Sequence, residues 1–320
     1  MSSSDSRRRT ALRLALAGAA VGLTTVAAVA LFRHPITLLE WTARRTLGLA
    51  GLRQQLVEHH RGQWSYFARP GHRDPSPVTV VLVHGLGGQA GNWYKTVRSL
   101  RHVDVVVLDL PGHGDCEIEP FPWGTGTAFE LYNQLLDEAT DHRPLVLVGN
   151  SMGGWLSLLY SLDNPERVRR LVLVNSAGLE FDINRRLLMP ANRQQAQRAI
   201  DAIYGKNAPR LPGFLLDSMI RRVENTPIAP ALEHVDDAPF VDRRLAELTV
   251  PTDIIWGTDD GIIPVDHAFR FHQQIPNSRL HLMEGVGHSP QVTEPKPFNR
   301  LLRSIIAEDL LPPIESVAHR

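Results

Sequence analysis

Residues 149–153 read Gly149-Asn150-Ser151-Met152-Gly153, a G-x-S-x-G pentapeptide. It follows the apolar run Leu145-Val146-Leu147-Val148 and leads into Gly154-Trp155-Leu156-Ser157-Leu158-Leu159-Tyr160. That setting predicts a strand, a tight turn and a helix. The strained turn thrusts the serine hydroxyl outward, and Gly149 and Gly153 let strand and helix pass closely. Ser151 is therefore a candidate nucleophile. A serine hydroxyl is weakly nucleophilic near neutral pH, so it needs a neutral imidazole to take its proton and an acid to hold that imidazole. His288 is the candidate base, on the glycine-rich loop Glu284-Gly285-Val286-Gly287 that follows the last apolar run. Acid candidates lie between them in chain order, directly after the apolar run Thr252 to Trp256. Trp256-Gly257-Thr258-Asp259-Asp260-Gly261-Ile262-Ile263-Pro264 offers Asp259 and Asp260 there.

Acyl transfer also builds negative charge on the former carbonyl oxygen, which two preorganised backbone N–H groups stabilise by several kcal/mol. Met152, next after the nucleophile, is the expected first donor. The second belongs on His84-Gly85-Leu86-Gly87-Gly88, after the run Val78 to Val83, with Leu86 the expected donor and Gly85 freeing the backbone. His84 is open to two readings, a second base or a brace of its own loop, and the brace is preferred. Asp109-Leu110-Pro111-Gly112-His113-Gly114 reads as a structural turn after a strand, with His113 near enough to the site to be examined.

These residues need a scaffold. Continuous apolar runs recur at Val78 to Val83, Val103 to Leu108, Leu145 to Val148, Leu171 to Val174, Thr252 to Trp256 and Leu280 to Met283. Continuous rather than alternating runs mark strands buried on both faces, and helical intervals between them call for βαβ crossovers. The expected fold is α/β, a mostly parallel, doubly wound sheet. Leu52 to His60 and Gln63 to Arg69 flank Arg61-Gly62 as a hairpin, and Pro70 to Pro77 is a turn-rich break. The stretch between Asn175 and Val250-Pro251 is too long for a crossover and has helical apolar spacing, so it is expected to be an inserted helical cap over the ligand crevice. The expected division is 1–33 anchor or signal, 34–74 juxtamembrane helix and first hairpin, 75–178 first part of the core, 179–248 cap, 249–313 second part of the core, and 314–320 tail.

Composition narrows the function. Lys+Arg 34 against Asp+Glu 34 leaves a formal net charge of zero, so the basic field that nucleic-acid binding needs is missing. The single cysteine, Cys116, excludes an intrachain disulfide and a cysteine-based zinc site, and reads as an incidental side chain. The 14 histidines are scattered, and the adjacent His59-His60 point to opposite faces of a strand, so no metal and no cofactor is expected. At the N-terminus Arg7-Arg8-Arg9 precede an uncharged run from Leu14 to Phe32. That approaches the ~20 residues that span a bilayer. It is expected to be a retained single-pass anchor. The alternative is an export signal cleaved near Ala28-Val29-Ala30. Ile36 to Leu49 has the spacing of an interfacial helix, with Arg33, Arg44 and Arg45 placed among lipid head groups.

Val83 to Gly88, Leu108 to Gly114, Gly149 to Gly154, Trp256 to Pro264 and Gly287-His288 together resemble the α/β-hydrolase superfamily across residues 50–313. That resemblance implies a Ser, acid, His triad and selects Asp260, with Asp259 an exposed neighbour placed to cap the following helix. More narrowly, Ala43 to Gly48, Arg69 to His72, Gly149 to Gly154, Ser176 to Leu179 and Val250 to Gly257 resemble the membrane-anchored monoacylglycerol lipases of the α/β-hydrolase domain-containing protein 6 type. This implies hydrolysis of acylglycerols or lysophospholipids at a membrane surface. Hydrolysis of a carbon–carbon bond by the same triad is the competing enzymatic reading, and a non-catalytic lipid- or protein-binding scaffold is the third. A nucleophilic aspartate, as epoxide hydrolysis requires at this elbow, is absent because the position is Ser151.

Overall fold

β-branched and leucine-rich segments free of interior glycine favour extended backbone, and each apolar run becomes a strand. The computed structural model describes residues 35–69, 76–118, 127–223, 226–232 and 239–310. Its sheet has eight strands: β1 Arg53–His59, β2 Gly62–Arg69, β3 Thr79–Val83, β4 Asp104–Asp109, β5 Leu145–Asn150, β6 Val168–Val174, β7 Thr252–Gly257 and β8 Ser278–Met283. They lie in the order β1-β2-β4-β3-β5-β6-β7-β8. The hairpin β1–β2 and the β2–β4 pair are antiparallel, and every pair from β4 through β3 to β8 is parallel. The longer helices are α1 Pro35–Leu49, α2 Thr127–Ala139, α3 Met152–Asp163, α4 Arg193–Tyr204, α5 Gly213–Val223, α6 Asp266–Gln274 and α7 Pro295–Leu310.

Strand periodicity divides each apolar run between two cores. Val81, Leu147, Leu171, Leu173 and Ile254 face one way and pack with Leu131 and Leu135 of α2 and Leu156 and Leu159 of α3. Val80, Leu82, Val146, Val148 and Ile255 face the other way, against Leu47 of α1 and Phe298, Leu302 and Ile305 of α7. Each fully buried aliphatic side chain contributes about 1.5–3 kcal/mol, so this double burial holds the central strands rigidly. One expectation needs correcting here. The segment Leu280 to Met283 is not buried on both faces: β8 is an edge strand whose residues are intermediate or exposed, and Leu282 is 44% exposed. No ninth strand lies beyond it among the described residues.

Helices lie where the cap was expected between β6 and β7, namely α4, α5 and the one-turn helices Arg185–Leu188 and Ile228–Leu232. The apolar run Leu14 to Phe32 lies outside the described residues, and so do the choice between anchor and leader, most of the Pro70 to Pro77 break and the tail. Among the described residues no helix is long and apolar enough to cross a membrane. α1 does form where helical spacing predicts it, but Arg44 does not sit among head groups. Its guanidinium turns inward to Asp109 at 2.9 Å, because a carboxylate buried at the end of β4 needs a counter-charge. Arg45 stays exposed, its guanidinium over the Trp41 ring.

The far end of the sheet is tied by charges. Asp253 on β7 accepts hydrogen bonds from Arg170 of β6 and from Arg279 and His281 of β8. Burial alone would raise its pKa, but the bonds from His281, Arg279 and Arg170 outweigh burial and hold the carboxyl at about 2. A folded pKa below the unfolded value stabilises the fold above about pH 4, and that contribution is lost as pH falls from there towards 2. The thermal midpoint of the protein is therefore expected to drop between pH 4 and 2 more steeply than that of Asp253→Asn, measured by circular dichroism. Parallel acid limbs would show that Asp253 contributes nothing to this dependence.

Candidate active site

β5 ends at Asn150 and α3 begins at Met152, which leaves Ser151 alone on the corner between them. Its backbone sits at φ 55 and ψ −121, a conformation that costs a non-glycine residue about 1–3 kcal/mol. The surroundings hold it there. Ser151 N–H donates to Val174 O at 3.0 Å, while Ser151 O accepts from Gly154, Trp155 and Ala177. Gly153 and Gly149 are required by close approach, since a Cβ on Gly153 would collide with the backbone oxygens of Val83 and His84, and one on Gly149 with Gly153. Gly85 faces the serine from the neighbouring loop, where an added Cβ would lie 2.9 Å from Ser151 Cβ and 3.5 Å from its Oγ.

The loops after β7 and β8 bring Asp260 and His288 together. His288 Nδ1–H donates to Asp260 Oδ2 at 2.8 Å, with both side chains buried. Asp260 Oδ2 also accepts from Asn175 Nδ2 at 2.7 Å, and Oδ1 accepts from Ile262 N–H and Ile263 N–H at 2.8 and 3.0 Å. Four donors on one carboxylate fix its orientation and satisfy its charge where the side chain itself is shielded from solvent. Asp259 is exposed, and its carboxylate accepts from the Thr258 hydroxyl. It caps no helix, because α6 starts only at Asp266.

Three amide side chains that were not among the expected site residues complete the frame. Asn150 Nδ2 donates to Val174 O and to His288 O at 3.0 and 3.1 Å, and its Oδ1 accepts from Gln291 Nε2 at 2.9 Å. The residue before Ser151 thus grips the backbone of the histidine loop. Asn175 sits at φ 44 and also accepts the Gly257 N–H, so it links β6, β7 and Asp260. Asparagine tolerates that left-handed conformation better than most residues, which was the one cue available in the sequence.

Of the two expected oxyanion donors, Met152 opens α3 directly after Ser151, and Leu86 directly follows Gly85, which faces Ser151. Neither the Leu86 nor the Met152 N–H donates to a protein acceptor among the described residues. His84 and His113 are both neutral braces. Burial pushes His84 down to about 4 and His113 down to about 3. His84 Nδ1–H donates to Gly85 O, and its Nε2 accepts from Leu110 N–H. His113 Nδ1–H donates to Pro111 O, and its Nε2 accepts from Gly87 N–H. An imidazole with both nitrogens engaged by backbone has no lone pair left for a substrate proton. Cys116 is buried, and burial pushes its thiol up to about 11, so no thiolate competes.

Apolar side chains crowd the same place. Leu86, Ile183 and Phe240 pack against Ile228 and Leu232, so the segment between β6 and β7 brings an apolar surface to the loop after β3. Trp155 of α3 stacks on Phe240 with ring centroids 5.1 Å apart.

Comparison with known proteins agrees with this architecture. The alpha/beta hydrolase family matches residues 80–301. The monoacylglycerol lipase ABHD6 of Bos taurus is 27% identical, covering 91% of this chain and 94% of that protein. A 2-hydroxy-6-oxononadienedioate/2-hydroxy-6-oxononatrienedioate hydrolase of Cupriavidus pinatubonensis is 29% identical over 70% of this chain and 85% of its own length. Among solved structures, a membrane phospholipase A described as a bacterial virulence factor superposes with a TM-score of 0.73. It is 28% identical and covers 94% of this chain and 98% of the other.

Proposed function

The chain belongs to the alpha/beta hydrolase family, and within it we propose a serine hydrolase that cleaves the carboxylic ester of single-chain lipids through an acyl-serine intermediate. The observation that carries this reading is the buried His288–Asp260 pair at 2.8 Å, whose loop is bonded to Asn150 immediately before the strained Ser151. His288 Nε2 takes the proton of Ser151 Oγ as that oxygen attacks the acyl carbonyl, and Asp260 stabilises the imidazolium. The oxyanion rests on the Leu86 and Met152 N–H groups. His288 then protonates the departing alcohol. Water enters and gives a proton to His288 as it attacks the acyl-serine, and the fatty acid leaves as Ser151 recovers its hydrogen. No cofactor takes part.

The acyl chain is assigned to the apolar surface of Leu86, Ile228, Leu232 and Ile183 beside the oxyanion loop. The similarity to a monoacylglycerol lipase and to a membrane phospholipase A supports a glyceride or glycerophospholipid substrate. The uncharged run Leu14 to Phe32, followed by the exposed Leu38, Leu39 and Trp41 at the start of α1, supports membrane attachment. The relative that acts on 2-hydroxy-6-oxo dienedioates keeps carbon–carbon bond hydrolysis as a second reading. Turnover of long-chain monoacylglycerols and lysophospholipids, short soluble esters and a ring-cleavage product by full-length protein in micelles separates them. A kcat/KM for long single-chain esters at least about tenfold above both other classes is expected, equivalent to about 1.4 kcal/mol of acyl-chain recognition. Preference for the ring-cleavage product or for short esters rejects the lipid assignment.

A further inference from the structure

Four contacts hold the loop after β3. His84 Nε2 accepts the Leu110 N–H at 3.1 Å, and the Gly87 N–H donates to His113 Nε2 at 3.0 Å. The Ala90 N–H donates to Asp109 Oδ1 at 2.9 Å, and Arg44 Nη1 donates to Gln89 Oε1 at 3.1 Å. Three of these partners lie inside the stretch that matches the family, residues 80–301. Arg44 lies outside it, on α1.

The Arg44 guanidinium does more than close an ion pair. Nη1 reaches Asp109 Oδ1 at 2.9 Å as well as Gln89, Nη2 reaches Asp115 Oδ2, and the cation lies 5.0 Å from the centre of the Phe67 ring. Its side chain is only 13% exposed, and that of Asp109 is 0% exposed. Asp109 Oδ2 accepts from Ser65 Oγ at 2.9 Å, so this carboxylate is clamped from three directions. A planar guanidinium can hold such divergent acceptors in one fixed geometry, whereas an ammonium acts as a point charge. The same arginine thus grips Gln89 directly and, through Asp109, also holds Ala90. Both follow closely on Leu86.

We propose that Arg44 is a positioning residue for the oxyanion site: through Asp109 and Gln89 it fixes the loop that presents the Leu86 N–H, so α1 helps to set the catalytic rate. This rests on the reading of Ser151 as nucleophile and Leu86 as oxyanion donor. The physical basis is that an oxyanion donor is useful only where the developing charge appears, and a misplacement of ~1 Å costs about 100-fold in rate. An oxyanion contact is made in the transition state, so its loss falls on kcat rather than KM.

Full-length Arg44→Gln, Arg44→Lys and Gln89→Met in micelles test this against the wild type. Arg44→Gln is expected to lower kcat by about 10- to 100-fold with KM within about twofold, and to slow labelling by a serine-directed fluorophosphonate in parallel. Arg44→Lys keeps a cation opposite Asp109 and is expected to recover thermal stability while kcat stays several-fold low. Gln89→Met removes one loop contact and leaves no charge unpaired. It is expected to lose kcat several-fold at nearly unchanged melting temperature. If Arg44→Gln fails to fold, the other two variants decide. Wild-type kcat in Gln89→Met, or in Arg44→Lys once stability returns, overturns the proposal, as does a loss carried by KM. Absence of labelling in the folded wild type removes the Ser151 reading and this proposal with it. Labelled wild type with an unchanged Arg44→Gln rate removes only the proposal.

Discussion

Ser151→Ala is expected to lower kcat for ester hydrolysis by about 10⁵- to 10⁶-fold and to abolish fluorophosphonate labelling, with the fold intact. Removing a serine nucleophile leaves only oxyanion stabilisation and binding, which retain a small residual rate. Nothing in the packing opposes the substitution, because Ser151 Oγ makes no hydrogen bond that the scaffold needs among the described residues, and the backbone bonds to Val174, Gly154 and Ala177 persist. Ser151→Gly adds a thermodynamic signature. Glycine adopts φ 55 without steric cost, so this variant is expected to be inactive yet to melt at or above the wild-type temperature. Turnover of a chromogenic ester and thermal unfolding check both. A folded Ser151→Ala that keeps more than about 1% of the wild-type rate would falsify the nucleophile assignment.

Asp260→Asn is expected to lower kcat by about 10⁴-fold. The substitution is nearly isosteric, and its amide oxygen can still accept from Ile262 and Ile263. The damage lies at Oδ2, where an NH₂ group would face the Nδ1–H of His288 and the Nδ2 amide of Asn175, donor against donor. His288 escapes the clash by moving its proton to Nε2, which leaves no lone pair facing Ser151, and the imidazolium loses its counter-charge. Asp259→Asn, which alters only an exposed carboxylate bonded to Thr258, is expected to retain nearly full activity. Equal losses in the two variants would reject the assignment of the acid. Asn175→Ala, which deletes one of the four donors on Asp260, belongs between these extremes.

Hydrolase chemistry follows from family membership, whereas the proposed lipid substrate rests on the apolar surface that Ile228 and Leu232 bring against Leu86. Fold and substrate are separable in this family, since a monoacylglycerol lipase and a 2-hydroxy-6-oxononadienedioate hydrolase match the chain at similar identity.

Much of the candidate site is legible along the chain because its parts are local. An elbow is defined by a strand, a strained turn and a helix within a dozen residues, and glycines at 149 and 153 are demanded by contacts inside that span or with the next strand. The apolar runs named their own strands for the same reason, since side-chain alternation and backbone propensity act between near neighbours. β8 departed from the expectation because burial depends on whether another strand follows, which its own residues do not encode.

Tertiary structure alone decided the rest. Asp259 and Asp260 are chemically identical neighbours that only family resemblance separates along the chain, and the turn after β7 supplies the physical reason by exposing one and aiming the other at His288. Asn150 meets Gln291 across 141 positions of sequence, Asn175 meets Asp260 across 85, and Arg44 meets Asp109 across 65. Such bonds leave no trace in local composition, because their partners become neighbours only when the sheet order brings distant strand ends to one edge. The sequence by itself therefore determined which groups could react, through residue type and local backbone demand. The tertiary structure decided which of them are held in position, because desolvation, hydrogen-bond direction and close approach exist only once the chain has folded.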